Sequence, residues 1–263
     1  MIKKKINGIR RSPRALMIIL FAGLLTVGSG YTAVSAAVSP KVEAVHTAEE
    51  IALGKKLFLS NCSSCHGKNA EGTMNAPSLI GVGEASVDFQ VSTGRMPGAA
   101  SGPQLEVKPV QFTEEQTAAM AAYIGSLGDG PNIPDAAYLQ ANGDPTVGGE
   151  LFRINCAMCH NAGGAGGALT EGKYAPNLMK SSAKTIYEAM VTGPQNMPVF
   201  SDANITPEEK NDIITYLTYL QNNRSVGGEE LGNLGPVVEG LLAWLGLLGL
   251  LVAITVWLGA KSN

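Results

Sequence analysis

Two pentapeptides carry the chemistry of this chain. Cys62-Ser63-Ser64-Cys65-His66 and Cys156-Ala157-Met158-Cys159-His160 both read C-x-x-C-H. Two thiols at i and i+3 with a histidine directly after form the attachment signature of c-type haem. The thiols can add to the haem vinyl groups as thioethers, and the imidazole beside the second thiol can sit under the iron. These are all 4 cysteines of the chain, so no thiol is left for a disulfide or a separate zinc site. A C-x-x-C also serves as half a zinc site or as a redox pair. Two copies, each with its own histidine, favour two covalently bound c-type haems.

An iron that only transfers electrons needs a sixth ligand. The chain has 3 histidines, and the motifs use two of them. Bis-histidine ligation at both irons is therefore impossible within this chain, which leaves methionine; His/Met ligation raises the reduction potential. Met96 and Met197 are each followed by proline and lie downstream of their motif in corresponding places. Proline fixes the local backbone and removes a donor, so a methionine in an irregular loop can be held toward one point. The candidate axial pairs are His66 with Met96 and His160 with Met197. Met74, Met120, Met158, Met179 and Met190 read as core, surface or loop residues, and His46 as a solvated one. Pro77 and Pro176 are candidates to accept the proximal ring proton through their carbonyls, a bond that orients the ring and tunes the iron. Arg95 and Lys173 read either as partners of the haem propionates or as a solvated face. No nucleophile sits beside a base, so no catalytic residue is expected; the chemistry is outer-sphere electron transfer.

The elements that must position these residues occur twice. Thr47-Ala48-Glu49-Glu50 is a capping box that predicts a helix running into Cys62. A short helical stretch is expected around Asp88 to Ser92. Thr113-Glu114-Glu115-Gln116 opens another helix, which Gly128-Asp129-Gly130-Pro131 ends. Asp144-Pro145 then supplies a cap and a first-turn proline. Gly148, Leu151, Phe152, Asn155 and Cys156 repeat Gly54, Leu57, Phe58, Asn61 and Cys62 at one constant offset. Ala175-Pro176 matches Ala76-Pro77, and Thr206-Pro207-Glu208-Glu209 opens the last helix of the repeat. This is an internal duplication. The glycine run Gly163 to Gly167 follows no strand and lacks the G-K-S/T ending, so it is not read as a phosphate cradle.

Both ends of the chain are apolar. Lys3, Lys4, Lys5, Arg10, Arg11 and Arg14 precede an apolar run with no acid before residue 38. Residues 1–38 read as a signal peptide, with Val34-Ser35-Ala36 as a small-residue cleavage site, or as a membrane anchor. Either way the basic flank stays inside and the residues beyond the apolar run lie outside. Residues 236–259 are apolar and long enough to cross a bilayer. The expected organisation is all-α: residues 45–130 a first haem domain, 131–143 a linker, 144–222 a second haem domain, 223–235 a flexible linker, 236–259 a transmembrane helix. The net charge is −3 and most acids lie between the apolar ends, which argues against nucleic-acid binding. Aromatic residues are only 6% of the chain, and two haems would add flat apolar surface to small cores.

With both motifs, both Met-Pro loops, the duplication and the C-terminal apolar run in hand, the chain resembles a known family over essentially its whole length. It is similar to the dihaem cytochrome c subunits of the actinobacterial menaquinol–cytochrome c reductase, a cytochrome bcc-type complex. The resemblance implies that Cys62, Cys65, Cys156 and Cys159 hold the haems, with His66/Met96 and His160/Met197 as axial pairs. It implies a Rieske iron–sulfur subunit as electron donor, a cytochrome b subunit as membrane partner and direct delivery to a terminal cytochrome c oxidase. The other readings are a membrane-anchored dihaem carrier tied to no complex, an electron-entry subunit of a dehydrogenase or oxidase, and a dihaem peroxidase with one displaceable ligand.

Overall fold

The computed structural model describes residues 13–38, 46–99, 102–223 and 236–260. The chain divides into two compact units, Met1–Val45 and His46–Asn263. In the first unit, α1 (Pro13–Val38) is one helix whose stretch Met17–Gly30 is apolar and exposed. Thr26 and Ser29 return their hydroxyls to the carbonyls of Ala22 and Leu25, at 2.9 and 2.6 Å. This satisfies them within the helix itself. The basic residues Lys3 to Arg11 and the linker residues 224–235 lie outside the described residues.

The second unit holds the duplication. In the first copy α2 (Ala48–Asn61) runs to Cys62, where the backbone breaks and the single turn α3 (Ser63–His66) begins. Then come α4 (Glu84–Ser92) and α5 (Glu114–Gly125). The second copy repeats this as α6 (Pro145–Asn155), α7 (Ala157–His160), α8 (Ala183–Thr192) and α9 (Pro207–Asn222). The expected caps form at Thr113, Asp144 and Thr206, and the first and last of these close full capping boxes. α2 packs on α5, and α6 on α9. The same ring pair locks each crossing: Phe58 with Tyr123 at 5.5 Å and 51°, Phe152 with Tyr216 at 5.6 Å and 46°. Such tilted pairs add about 0.5–1.5 kcal/mol beyond their burial.

Several elements differ from the sequence reading. Thr47 caps α2, but Glu50 does not reach back to close the box. Its carboxylate instead takes His46 Nδ1 at 3.1 Å, while His46 Nε2 takes Glu84 at 2.9 Å. His46 is thus not solvated: it bridges the start of α2 to the start of α4. Burial alone lowers its pKa, and the two carboxylates outweigh that, so the net direction is up. The helix expected around Asp88 begins four residues earlier, at Glu84. The linker 131–143 is tied down along its length. Pro131 accepts from Ala85 N at 3.0 Å, Tyr138 stacks on Tyr187 at 6.2 Å, and Gly143 N donates to Thr215 at 2.9 Å. α9 runs to the end of the expected second domain, and its Gln221 donates to the carbonyls of Leu178 and Ser181. Within the glycine-rich loop, β1 (Gly167–Ala168) and β2 (Tyr174–Ala175) pair antiparallel, a ladder too short to leave a period in sequence.

The C-terminal helix runs as α10 (Pro236–Ala243), a wide π turn (Trp244–Leu248) and α11 (Gly249–Ala260). Val238–Ala260 spans 23 residues at mean hydropathy 2.4, long and apolar enough to cross a membrane. The π turn interrupts the uniform helix expected over 236–259, in the manner of one inserted residue.

The two copies meet where α4 packs on α8. Asp88 and Glu188 are both buried there, 4% and 1% exposed. Lys184 Nζ sits 2.7 Å from Asp88 and 3.9 Å from Glu188. Burial, then the Asp88 carboxylate, pushes Glu188 up to about 9, so at neutral pH it is a neutral acid. A carboxyl whose folded pKa is raised lends its full stability below its ordinary value and loses it as pH rises toward the folded one. Glu188→Gln keeps the shape without the ionisation. It is expected to stabilise the chain by about 1–3 kcal/mol at pH 8 and to leave it near wild type at pH 4. Thermal melts at the two pH values check this; an equal effect at both would remove the titration from the account.

Candidate functional site

Each motif is presented by a helix that ends one residue early. Cys62 closes α2 with its N–H on Phe58 O at 2.8 Å, and Cys156 closes α6 with its N–H on Phe152 O at 2.8 Å. The next turn then carries the second thiol and the imidazole. His66 and His160 are buried, 7% and 9% exposed. His66 Nδ1 lies 2.8 Å from Pro77 O, and His160 Nδ1 lies 3.0 Å from Pro176 O. A carbonyl only accepts, so Nδ1 carries a proton and Nε2 is the ring nitrogen turned away from that bond. Burial holds the His160 pKa down, only partly offset by the Pro176 carbonyl, so the ring stays neutral. This is the donor arrangement a proximal iron ligand needs. The loops behind also match: Gly72 N donates to His66 O at 2.7 Å, and Gly166 N to His160 O at 2.9 Å.

Burial, then the neighbouring Cys65, pushes the Cys62 thiol up to about 11, and burial with Cys159 does the same for Cys156. Such thiols stay protonated at neutral pH, which does not suit a free thiolate redox pair. Among the described residues no group of three or more His, Cys, Asp or Glu gathers to hold a bare metal ion. Thioether attachment asks for neither.

In the second copy the candidate residues share one cavity of about 470 Å³. Cys156, Cys159, His160 and Met197 all line it, with Phe152, Ile213 and Leu217 as apolar floor. That is within the ~300–1,000 Å³ of small-molecule and cofactor sites. Met197 is held by its loop. Gly193 ends α8 in a left-handed turn, Met197 N donates to Pro194 O at 3.1 Å and Phe200 N to Met190 O at 2.8 Å. The fully buried Lys210 pins the chain beyond, reaching Asp202 and Ile205 O at 2.6 Å each. In the first copy Met96 is half-buried on the loop after α4, its N–H on Gln90 O at 2.9 Å. Neither Met96 nor His66 lines the cavity of the second copy. The donor set and the walls fit a c-type haem: two thiols, one imidazole whose Nδ1 is held by a carbonyl, one thioether and an apolar floor.

Sequence reasoning left the roles of Arg95 and Lys173 open, and both line the second cavity. Lys180, Phe89, Thr93, Gln104 and Val107 also line it and had not been considered. The last four belong to the first copy, and no local pattern announces a wall contributed by another module.

Comparison with known proteins places these features. Residues 51–128 match the cytochrome c family, and residues 143–217 match the family described as cytochrome c oxidase, cbb3-type, subunit III. Three relatives share the name cytochrome bc1 complex cytochrome c subunit. The Corynebacterium efficiens protein is 42% identical over 98% of this chain and 94% of its own length. The Mycobacterium leprae protein is 44% identical over 93% and 87%, and that of Mycobacterium tuberculosis 43% over 97% and 93%. With two cytochrome c domains, each bearing its own Cys pair, and this similarity along nearly the full length, the chain belongs to the family of cytochrome bc1 complex cytochrome c subunits and is a carrier of electrons on two c-type haems.

Proposed function

We propose that this chain passes electrons from a Rieske iron–sulfur subunit toward a terminal cytochrome c oxidase, within a menaquinol–cytochrome c reductase that also contains a cytochrome b subunit. Cys62 and Cys65 would hold the first haem, with His66 and Met96 as the residues that would bind its iron; Cys156 and Cys159 would hold the second, with His160 and Met197 in the same roles. When bound, each haem supplies a one-electron iron couple. The chain's own part is to orient and tune. Pro77 and Pro176 fix the rings through Nδ1, the Met-Pro loops present sulfur, and the apolar floor keeps water from the second site. The haem domains lie on the extracytoplasmic side, and the helix Val238–Ala260 crosses the membrane with its C-terminus in the cytoplasm. Basic residues before α1 and Lys261 after α11 support that orientation.

The observation that carries this reading is the second cavity, where both thiols, the carbonyl-bound imidazole and Met197 converge. Purification of the full chain from membranes in mild detergent tests it. We expect pigment that acid–acetone does not extract, a mass increase of two haems, and copurifying cytochrome b and iron–sulfur partners. Pigment released by acid–acetone would refute the thioethers. A chain that purifies alone with its haems would refute the complex and leave an independent membrane-anchored carrier.

A further inference from the structure

The second cavity is not walled by the second module alone. Phe89 of α4, Thr93 that caps its end, Arg95 just behind, and Gln104 and Val107 further on all face it from the first module. Its charged lining has one sign. Arg95, Lys173 and Lys180 are present and no aspartate or glutamate is, although the chain as a whole carries −3. Lys173 already holds Glu171 at 3.2 Å. Arg95 is half-buried with its guanidinium 4.8 Å above the Phe89 ring, and among the described residues no carboxylate pairs with it. A planar fork of donors, stacked on a ring and aimed into a cavity, is suited to a carboxylate.

The segment bearing Arg95 is fastened to the second module by paired bonds. Gln104 Nε2 donates to Tyr174 O at 2.9 Å, and Tyr174 N donates back to Gln104 Oε1 at 2.8 Å. Leu105 N donates to Gln195 Oε1 at 3.2 Å. That strip is in turn fastened to the Met96 loop: Lys108 N donates to Gly94 O at 3.2 Å, and Lys108 Nζ donates to Pro97 O. Arg95 and Met96 are adjacent, so one loop serves both sites.

We infer that the first module completes the second haem site, with Arg95 holding the propionate edge of the second haem and thereby setting its potential. This rests on the proposed function, in which Cys156, Cys159 and His160 hold that haem. A guanidinium beside the anionic edge in a partly dry cavity offsets the negative charge that disfavours the reduced iron. The second haem's potential is therefore raised by a residue that belongs to the first module.

The test is a redox titration of the full chain with both haems bound, followed by absorbance and resolved into two one-electron components. Met197→His marks the second haem's component by displacing it. Arg95→Gln is expected to lower that same component, shifting the electron equilibrium between the two haems about three- to tenfold toward the first; tenfold is about 59 mV for one electron. Arg95→Lys is expected to retain most of the wild-type value. If Arg95→Gln leaves the second component in place, or moves only the first, the inference is overturned. Should Arg95→Gln fail to accumulate with two haems, Gln104→Ala loosens the same loop without removing a charge. It must lower the second component too, and an unmoved value overturns the inference. A chain lacking the second haem overturns the haem reading itself and is told apart by haem count. If Met197→His displaces nothing, only the sulfur ligand is lost from the account, and Cys156→Ala with Cys159→Ala, which removes the second component, marks it instead.

Discussion

Met197→His is expected to pull one of the two haem potentials down by a sizeable part of the ~0.8 V range that axial ligands command, and to leave the other near its wild-type value. Thioether sulfur is a soft ligand that favours the reduced iron; imidazole is harder and favours the oxidised one. Met197 lines the same cavity as His160. Its loop is closed by bonds at Pro194 and Met190 and held from behind by the fully buried Lys210. Histidine at 197 would therefore be delivered from the same backbone position. Met96→His should displace the other component in the same way. Potentiometric titration of each variant reads the result directly. If both potentials stay put in Met197→His, the sulfur is not on the iron, and the matched Met-Pro placement that suggested it is a coincidence of packing.

What sequence made legible is what is local. The thiol pair and its histidine lie within five residues, and the caps at Thr113, Asp144 and Thr206 within three of their partners, so spacing alone identified them. The carbonyls of Pro77 and Pro176 were candidates because each closes an Ala-Pro pair downstream of its motif, 11 residues after His66 and 16 after His160, and both accept from Nδ1. What sequence hid is long-range. His46 is held by Glu84, 38 residues away, and no pattern around a lone histidine announces that. Arg95 sits beside Met96 in the chain, yet it lines the cavity of His160 and Met197. Only the docking of α4 on α8 puts it there. The two-residue strands in the glycine-rich loop and the π turn at Trp244–Leu248 fall below the length at which periodicity carries information.

Gly54→Ala and Gly148→Ala should each destabilise the chain by about 3 kcal/mol or more, against what helix propensity predicts. Both glycines sit inside helices, where alanine is better by about 1 kcal/mol. Close approach decides otherwise. A Cβ at Gly54 would lie 1.8 Å from Ala119 O, 2.5 Å from its carbonyl carbon and 2.9 Å from Tyr123 Cβ. A Cβ at Gly148 would lie 1.9 Å from Asp212 O and 2.8 Å from Ile213 N. These neighbours are mostly backbone of the facing helix, so they cannot swing aside as a side chain would. The helices must part, and parting them breaks the Phe58–Tyr123 or Phe152–Tyr216 contact one turn from the first cysteine of the motif. The same steric demand acting twice accounts for a glycine at the same offset from both motifs. In a module of this size 1 kcal/mol moves the midpoint by about 4–8 °C, so each substitution should lower thermal unfolding of the haem-bound chain by roughly 10 °C or more. A midpoint at or above wild type would mean that α2 and α5, or α6 and α9, do not cross as closely as these distances require.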